Sequence, residues 1–373
     1  MKAWSVLALV LIQAVLFAGH AFVFLTWTAF APPLAPAAST ALHVALLVLS
    51  FSFVAAALLS FRFSNPAVRL FYAIAAVWLG FLNFFFWASI LIQLVWLALR
   101  LVHLVAHPAA TRPLLAALFY IPAAAAGIYG LINARLLRTR RFKVRMPGLP
   151  ESWRGRRAVM MSDLHLGAIN GPRFARRLAI RAARLRPDIV FIPGDLFDGA
   201  HADLDRLLAP FHRLAPPLGI YYSTGNHEEF TDPAHYLDAI SRAGFRVLSN
   251  QAVTVDGLAI AGVHYRDSSS PLRIKAVLDH MQWDRSQPAI LLNHVPTRLP
   301  IVERAGFSLQ LSGHTHGGQI FPYTWFTRRV FGRFTSGLHR FGALDVCTST
   351  GAGAWGPPMR VGTRSEIVLL TFE

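Results

Sequence analysis

Apolar and polar positions divide this 373-residue chain near residue 137. Ahead of that point the apolar runs are long and almost unbroken. Residues 4–27 are nearly all Leu, Val, Ala and Phe, enough to cross a hydrocarbon layer about 30 Å thick. Residues 42–61 predict a second span, and 70–99 a third that is longer than one upright helix needs, so it tilts or continues along the interface. Residues 113–133 predict a weaker fourth span, rich in Ala and interrupted by Pro122. The first run is too long for the core of a cleaved signal peptide, and further spans follow it.

From residue 138 the period changes. Short apolar runs predict strands at 142–146, 158–161, 189–192, 219–222, near Val247 and Val253, and at 258–263, 289–292, 309–311, 344–347 and 367–371. Between them, helical spacing covers 172–185, a stretch around 204–214, 233–243 and 272–281, with Pro172 and Pro233 at helix starts. Strands alternating with helices predict an α/β domain over 138–373, preceded by a helical membrane region over 1–137.

Charge sharpens that division. No Asp or Glu precedes Glu151, so all 19 acids lie in the second part. Of the 36 lysines and arginines 11 precede residue 151 and 25 follow, which splits the net +17 into +11 and +6. The basic cluster Arg135, Arg138, Arg140, Arg141, Lys143 and Arg145 directly follows the last apolar run, where such residues fix topology and meet anionic headgroups. A bilayer is therefore the expected partner, and nucleic acid is not. With four spans, Lys2, Arg62, Arg69 and that cluster share one side and only Arg100 and Arg112 lie on the other. That places the C-terminal domain in the cytoplasm, at a bacterial-type inner membrane. The single cysteine, Cys347, excludes an internal disulfide and a thiolate metal cluster.

The polar motifs fall where the strands end. Asp163-Leu164-His165, Gly194-Asp195, Gly225-Asn226-His227-Glu228, Asn293-His294 and Gly313-His314-Thr315-His316 each follow an apolar run. Open α/β sheets bind ligands at that edge. Carboxylate, amide and imidazole without thiolate suit Mn, Fe or Zn better than Ca, and the number of donors suits two ions rather than one. Singly, each residue has a plainer use: Asp163 and Asp195 as cap or turn residues, Asn226 as a left-handed turn, His294 as a satisfied core histidine.

Five motifs in this order resemble the calcineurin-like metallophosphoesterases over the whole of 140–373. The Ser162 to Gly167 stretch, the Gly-Gly-Gln tail at 317–319 and Ala354-Trp355-Gly356-Pro357-Pro358-Met359-Arg360 resemble its membrane-associated branch, which includes bacterial enzymes related to UDP-2,3-diacylglucosamine pyrophosphatases. The resemblance implies a four-layer α/β/β/α sandwich with two divalent metals. It implies Asp163, His165 and His316 on the first metal, Asp195 bridging, and Asn226, His294 and His314 on the second. It also implies His227 as the group that protonates the leaving oxygen or holds the phosphate, with Glu228 orienting it. Two positions depart from the family pattern: Asp198-Gly199-Ala200 stands where many members carry Arg, and Glu228 where many carry Asp.

The function so implied is metal-dependent hydrolysis of a phosphodiester or pyrophosphate bond in a lipid-linked or nucleotide-lipid substrate, a phosphorylated amphiphile. A phosphodiesterase for soluble nucleotides or cell-wall polymers is the alternative enzyme. A transporter or receptor carrying a regulatory phosphoesterase-like module is the alternative of another class. His201, His235, His264 and Asp267 are expected in surface or loop roles, and Arg360 either on substrate phosphate or in solvent. Residues 321–341 interleave aromatic rings with Arg328, Arg329, Arg333 and Arg340, which suits a lipid surface or simple packing on the sheet.

Overall fold

The computed structural model describes residues 3–230 and 232–373, with side chains in the first helix from residue 6; Lys2, used above for topology, lies outside the described residues. The chain divides into two units, one of residues up to Ile132 with Gly356–Met359, the other of Asn133–Trp355 with Arg360–Glu373.

The first unit is four helices: α1 (Ala3–Phe30), α2 (Pro36–Arg62), α3 (Pro66–Leu101) and α4 (Pro108–Arg135), whose last turn belongs to the second unit. All four are long and apolar enough to cross a membrane. Pro36 and Pro66 sit in first turns, where their missing N–H costs nothing, and Asn65 caps α3 by accepting from the Val68 N–H. The third predicted span is one unbroken helix of 36 residues. The fourth starts earlier than the sequence suggests, at Pro108, and carries Pro113 and Pro122 inside it. Small residues are buried between the helices, among them Ser50, Ala56, Ala75, Ala76 and Ser89, alongside a few large ones such as Leu82 and Phe84, while many other Leu, Val and Phe point outward.

The second unit holds two six-stranded sheets. Its strands are β1 (Arg138–Val144), β2 (Arg157–Met160), β3 (Ile189–Pro193), β4 (Ile220–Ser223), β5 (Arg246–Val247), β6 (Gln251–Val255), β7 (Leu258–Gly262), β8 (Ala289–Leu292), β9 (Leu309–Ser312), β10 (Gly337–Phe341), β11 (Leu344–Thr348) and β12 (Glu366–Phe372). Its helices are α5 (Pro172–Ala183), α6 (Leu204–Leu208), α7 (Pro233–Arg242), α8 (Tyr265–Ser268), α9 (Pro271–His280), α10 (Leu299–Arg304) and α11 (Tyr323–Phe331). One sheet runs β1-β12-β2-β3-β4-β5 and the other β10-β11-β9-β8-β7-β6.

The pleat sorts the apolar side chains into three cores. Ala158, Met160, Ile189 and Phe191 from the first sheet meet Leu258, Ile260, Ile290 and Leu311 from the second. Their neighbours along the strands, Val159, Val190 and Ile192, face the other way and pack on Leu178, Leu207 and Ile240 of α5, α6 and α7. Ala261 and Leu291 pack on Ile274, Leu278 and Val302 of α9 and α10. The result is the four-layer α/β/β/α sandwich expected from the sequence.

The basic cluster is a finding of its own. The strand expected at 142–146 begins four residues earlier, inside the run read as meeting headgroups, and residues 138–144 form an edge strand paired in parallel with β12. Arg140 and Arg145 pair with Glu366 and Glu373 at 3.8 and 3.5 Å, and Lys143 also pairs with Glu373. Alternating charge on an exposed edge conceals a strand, because its outer positions need no apolar side chain.

Candidate metal centre

Five loops carry the site, and each leaves the carboxyl end of a strand. Asp163 and His165 follow β2, Asp195 follows β3, Asn226 to Glu228 follow β4, His294 follows β8, and His314 and His316 follow β9. Donors from both sheets thus meet along one edge of the sandwich.

Convergence requires an unusual backbone. Asp163, His165, Asp195, His314 and His316 all have φ between 47° and 68°. Non-glycine residues rarely adopt this left-handed region, and strain held there at several neighbouring positions marks a functional site. Asn226, read as a possible left-handed turn, is right-handed at φ −74°. Glycine is needed where loops touch: a Cβ on Gly225 would strike Asp195, and one on Gly313 would strike Ser162 and Asp163.

Hydrogen bonds then lock loop to loop. The His227 N–H donates to Asp195 Oδ1 at 3.0 Å, and the His314 N–H donates to Asp163 Oδ1 at 2.9 Å. The Ser162 hydroxyl donates to Asp163 Oδ2. His294 Nδ1 faces the Pro193 carbonyl at 2.8 Å, which leaves its Nε2 free for the site.

The donor atoms fall within a few ångströms of each other. Asp163, His165 and His316 form one group, His165, Asp195 and His227 a second, and Asp163, Asp195 and His294 a third, with ligand atoms within 4.8 Å inside each group. Asp195 Oδ2 lies 3.3 Å from His294 Nε2, 3.8 Å from His165 Nε2 and 3.9 Å from His227 Nε2. Asn226 Oδ1 sits 2.9 Å from His314 Nδ1 and 3.2 Å from His294 Nε2. All seven residues expected as ligands, and His227, are therefore in one place.

The chemistry of this set suits divalent cations. Burial and neighbouring histidines hold His165 and His316 well below the ordinary imidazole range, so both are neutral donors. Burial and His294 likewise lower His314 to about 4. Burial opposes charge on His294, but Asp195 and Asp163 outweigh it and raise this group to about 9. Burial raises Asp163 to about 6, while in Asp195 the surrounding histidines overcome burial and hold the carboxylate ionised. His165 Nε2 and His316 Nε2 face each other at 3.0 Å, and His165 Nδ1 has no hydrogen-bond partner among the described residues. Fully buried donors left partly unsatisfied in this way fit a pair of cations among them.

Glu228 does something other than expected. Its buried carboxylate accepts from the backbone N–H groups of Asp195, Phe197 and Gly225 at 3.2, 3.1 and 2.8 Å, tying two loops together. The His227 ring is oriented instead by the Asp198 carbonyl, 3.1 Å from its Nδ1. Asp198, where arginine is common in the family, accepts from the Ala168 and Ala200 N–H groups at 2.7 and 2.8 Å, and burial raises it to about 6. Arg360 is neither in solvent nor free for phosphate. It is fully buried and donates to the carbonyls of His316 and Gly353 at 3.1 and 2.6 Å, holding the last metal-motif turn. His264 caps α8 and pairs with Glu229 at 3.1 Å.

Sequence reading passed over Phe230 and gave Trp355 no role beyond its motif. The two rings, each about half exposed, stand 4.4 and 5.5 Å from the His227 ring. Gln319 fixes Trp355 by donating to its carbonyl at 2.9 Å and accepting from its N–H at 3.1 Å. The Gly-Gly-Gln tail and the 354–360 motif both bear on this contact, but their pairing shows only in the folded chain.

A two-sheet sandwich with nitrogen and oxygen donors gathered at its strand ends defines an α/β protein with a candidate metal site. The calcineurin-like phosphoesterase family profile matches residues 156–318. The chain is 32% identical over 264 residues to a transmembrane protein with metallophosphoesterase domain from Danio rerio, covering 66% of this chain and 60% of that protein. It is 33% identical over 255 residues to an uncharacterized metallophosphoesterase of Campylobacter jejuni, covering 66% of each. It is 31% identical over 255 residues to another from Aquifex aeolicus, covering 96% of that protein. The chain belongs to the calcineurin-like phosphoesterase family, and it spans about two thirds or less of the first two relatives.

Proposed function

We propose that this protein is a membrane-anchored, two-metal phosphoesterase that hydrolyses a phosphodiester or pyrophosphate bond in a lipid-linked substrate. The observation that carries the proposal is the gathering of Asp163, His165, Asp195, His227, His294 and His316 into three overlapping groups, each with its ligand atoms within 4.8 Å, with Asn226 contacting both His294 and His314. Asp163, His165 and His316 would hold one ion, Asn226, His294 and His314 the other, and Asp195 both. The bound ions would polarise the phosphoryl group and lower the pKa of the attacking water.

The chain's own residues supply the rest. His227 presents Nε2 toward the donor cluster while Asp198 holds Nδ1, so Nε2 is placed to protonate a leaving oxygen. Asp195 keeps its charge and its Oδ1 is anchored by the His227 N–H, so carboxylate and acid move as one unit. Phe230 and Trp355 screen one side of His227 from water.

Four apolar helices place the domain beside a bilayer, which favours an amphiphilic substrate. The basic residues after the last span favour the cytoplasmic side of a bacterial-type inner membrane, and a reporter fused after Glu373 that scores as periplasmic refutes that orientation. The resemblance to UDP-2,3-diacylglucosamine pyrophosphatases favours a pyrophosphate link.

The test is an assay of metal-stripped and Mn-, Fe- or Zn-loaded protein on lipid extracts and on soluble phosphodiesters. Loaded protein is expected to turn over a lipid-extract component faster. A preference for soluble nucleotides transfers the reading to the alternative enzyme, and no metal-dependent turnover of either sinks it. Metal affinity is expected to rise with pH, because protons on His294 (about 9) and Asp163 (about 6) compete with the ions. Titration of stripped protein at several pH values measures it.

A further inference from the structure

We propose that α11 is a bilayer-docking helix that lays an exposed aromatic stripe into an anionic membrane surface. Its side chains are arranged inside out for a helix in water. The face turned to the domain carries Thr324, buried against Gly318, with Thr327 and Phe331 less exposed than their neighbours. The outer face carries Tyr323, Phe326 and Val330 at helical spacing with Trp325 beside them, exposed by 51, 48, 75 and 57%. Phe321, just ahead, is also exposed. These five side chains sit within residues 321–330 and are half of the ten large apolar side chains exposed among the described residues of the α/β unit. A patch this dense marks a surface that something covers.

Charge and ring type select the occupant. Arg328, Arg329 and Arg333 flank the stripe, and no acid occurs between Glu303 and Asp345 to balance them. Tyr and Trp beside arginine is the composition of a membrane interface, where rings lie at headgroup level and guanidinium groups meet lipid phosphate. The chain also carries four helices fit to span a membrane, so a bilayer lies within tether reach of α11.

Docking has a consequence for the site. α11 begins seven residues after His316, and the Phe331 ring at its other end lies 6.3 Å from the His314 ring. A helix held in the headgroup layer therefore holds this side of the donor cluster there too. The inference does not require turnover, so its test stands apart from the hydrolase reading.

The experiment uses the full chain in vesicles of phosphatidylcholine, alone or mixed with phosphatidylglycerol. A Trp325→Cys variant takes an environment-sensitive fluorophore at position 325, and the buried Cys347 stays unlabelled, as the parent chain checks. With phosphatidylglycerol present, emission is expected to shift blue and to be quenched by lipids carrying a nitroxide high on the acyl chain. Exchanging Arg328, Arg329 and Arg333 for Gln is expected to weaken insertion by about 100-fold, about fivefold per arginine. Phe326→Asp with Val330→Asp returns the label to water. Water-like, unquenched emission in both vesicle types overturns the proposal. So does a label shielded equally in detergent and in both vesicles without lipid quenching, which means that protein covers the helix.

Discussion

The two units differ in what they expose. Among the helices many Leu, Val and Phe face out, and Ser and Ala join a few large side chains inside; in the sandwich most Leu, Ile and Phe are inside, and the few buried charges are at the candidate metal centre or, like Glu366 and Arg360, held by hydrogen bonds. One rule covers both: each surface matches its solvent, lipid for the first unit and water for the second. The acids follow the same division, since none precedes Glu151, and those buried most deeply, Asp163, Asp195, Glu228 and Glu366, are all held by hydrogen bonds or ion pairs. A buried charge is therefore meaningful only in the second unit. α11 stands out because it sits in the second unit and follows the surface rule of the first.

The largest expected effect removes such a charge. Asp195→Asn keeps the shape of the side chain but loses the carboxylate placed between the two sets of donors. Turnover of a phosphodiester is expected to fall on the order of 1,000-fold, about 4 kcal/mol of barrier, with weaker metal retention by elemental analysis. Full activity in a folded Asn variant would refute the two-metal reading and leave the buried carboxylate without a role.

The next pair of variants tests the solvent rule directly. Ile260→Ala empties a position fully buried between the sheets and is expected to cost about 3 kcal/mol in denaturant unfolding. Leu118→Ala removes as much apolar volume from the outward face of α4, and in lipid it should cost less than about 1 kcal/mol. Equal losses at the two positions would break the comparison.

Asn133 probes where α4 passes from one unit to the other. Its amide donates to the carbonyls of Arg360 and Thr363, both at 2.9 Å, and its oxygen accepts from Arg138 at 2.8 Å. Asn133→Ala leaves buried carbonyls unpaired and is expected to cost the α/β unit about 2 kcal/mol, read as a lower unfolding midpoint. For the same reason a soluble version cut after Ile132 should fold and hydrolyse a small diester, whereas a cut after Asn133 should be less stable.

Much of this was legible because it rests on period and on residue type. Unbroken apolar runs at 158–161 and 189–192 predict strands buried on both faces, and the motif residues at their ends predict the donor set. Other features carry no pattern. The left-handed φ of Asp163 or His316 depends on where the neighbouring loop must go, which no local sequence encodes. Arg360 looks like a solvated arginine until the loop around it is folded, because burial of an arginine depends on carbonyls supplied from His316 and Gly353. Strand β1 starts four residues before the apolar signal at Phe142, because exposed edge positions accept the same arginines that a headgroup contact would use. The resemblance implies Glu228 as the partner that orients His227, yet its carboxylate accepts from backbone amides instead, a contact that depends on how the neighbouring loop is folded.

The smallest expected effect concerns the rim of the site, where an exposed ring breaks the water rule for a different reason from α11. Trp355 is held by both hydrogen bonds of the Gln319 amide, an arrangement that fixes the backbone and leaves the indole half exposed beside His227. A ring placed so deliberately at the acid group should contact the apolar part of a substrate and contribute little to bond cleavage. Trp355→Ala is then expected to raise KM for an aryl phosphodiester about 5-fold, about 1 kcal/mol, and to leave kcat within about twofold. A matching Gln319→Ala variant, which frees the loop but keeps the ring, should show part of the same rise. If kcat falls instead while KM holds, the indole acts on His227 itself, and the exposed ring belongs to the proton-transfer step rather than to binding.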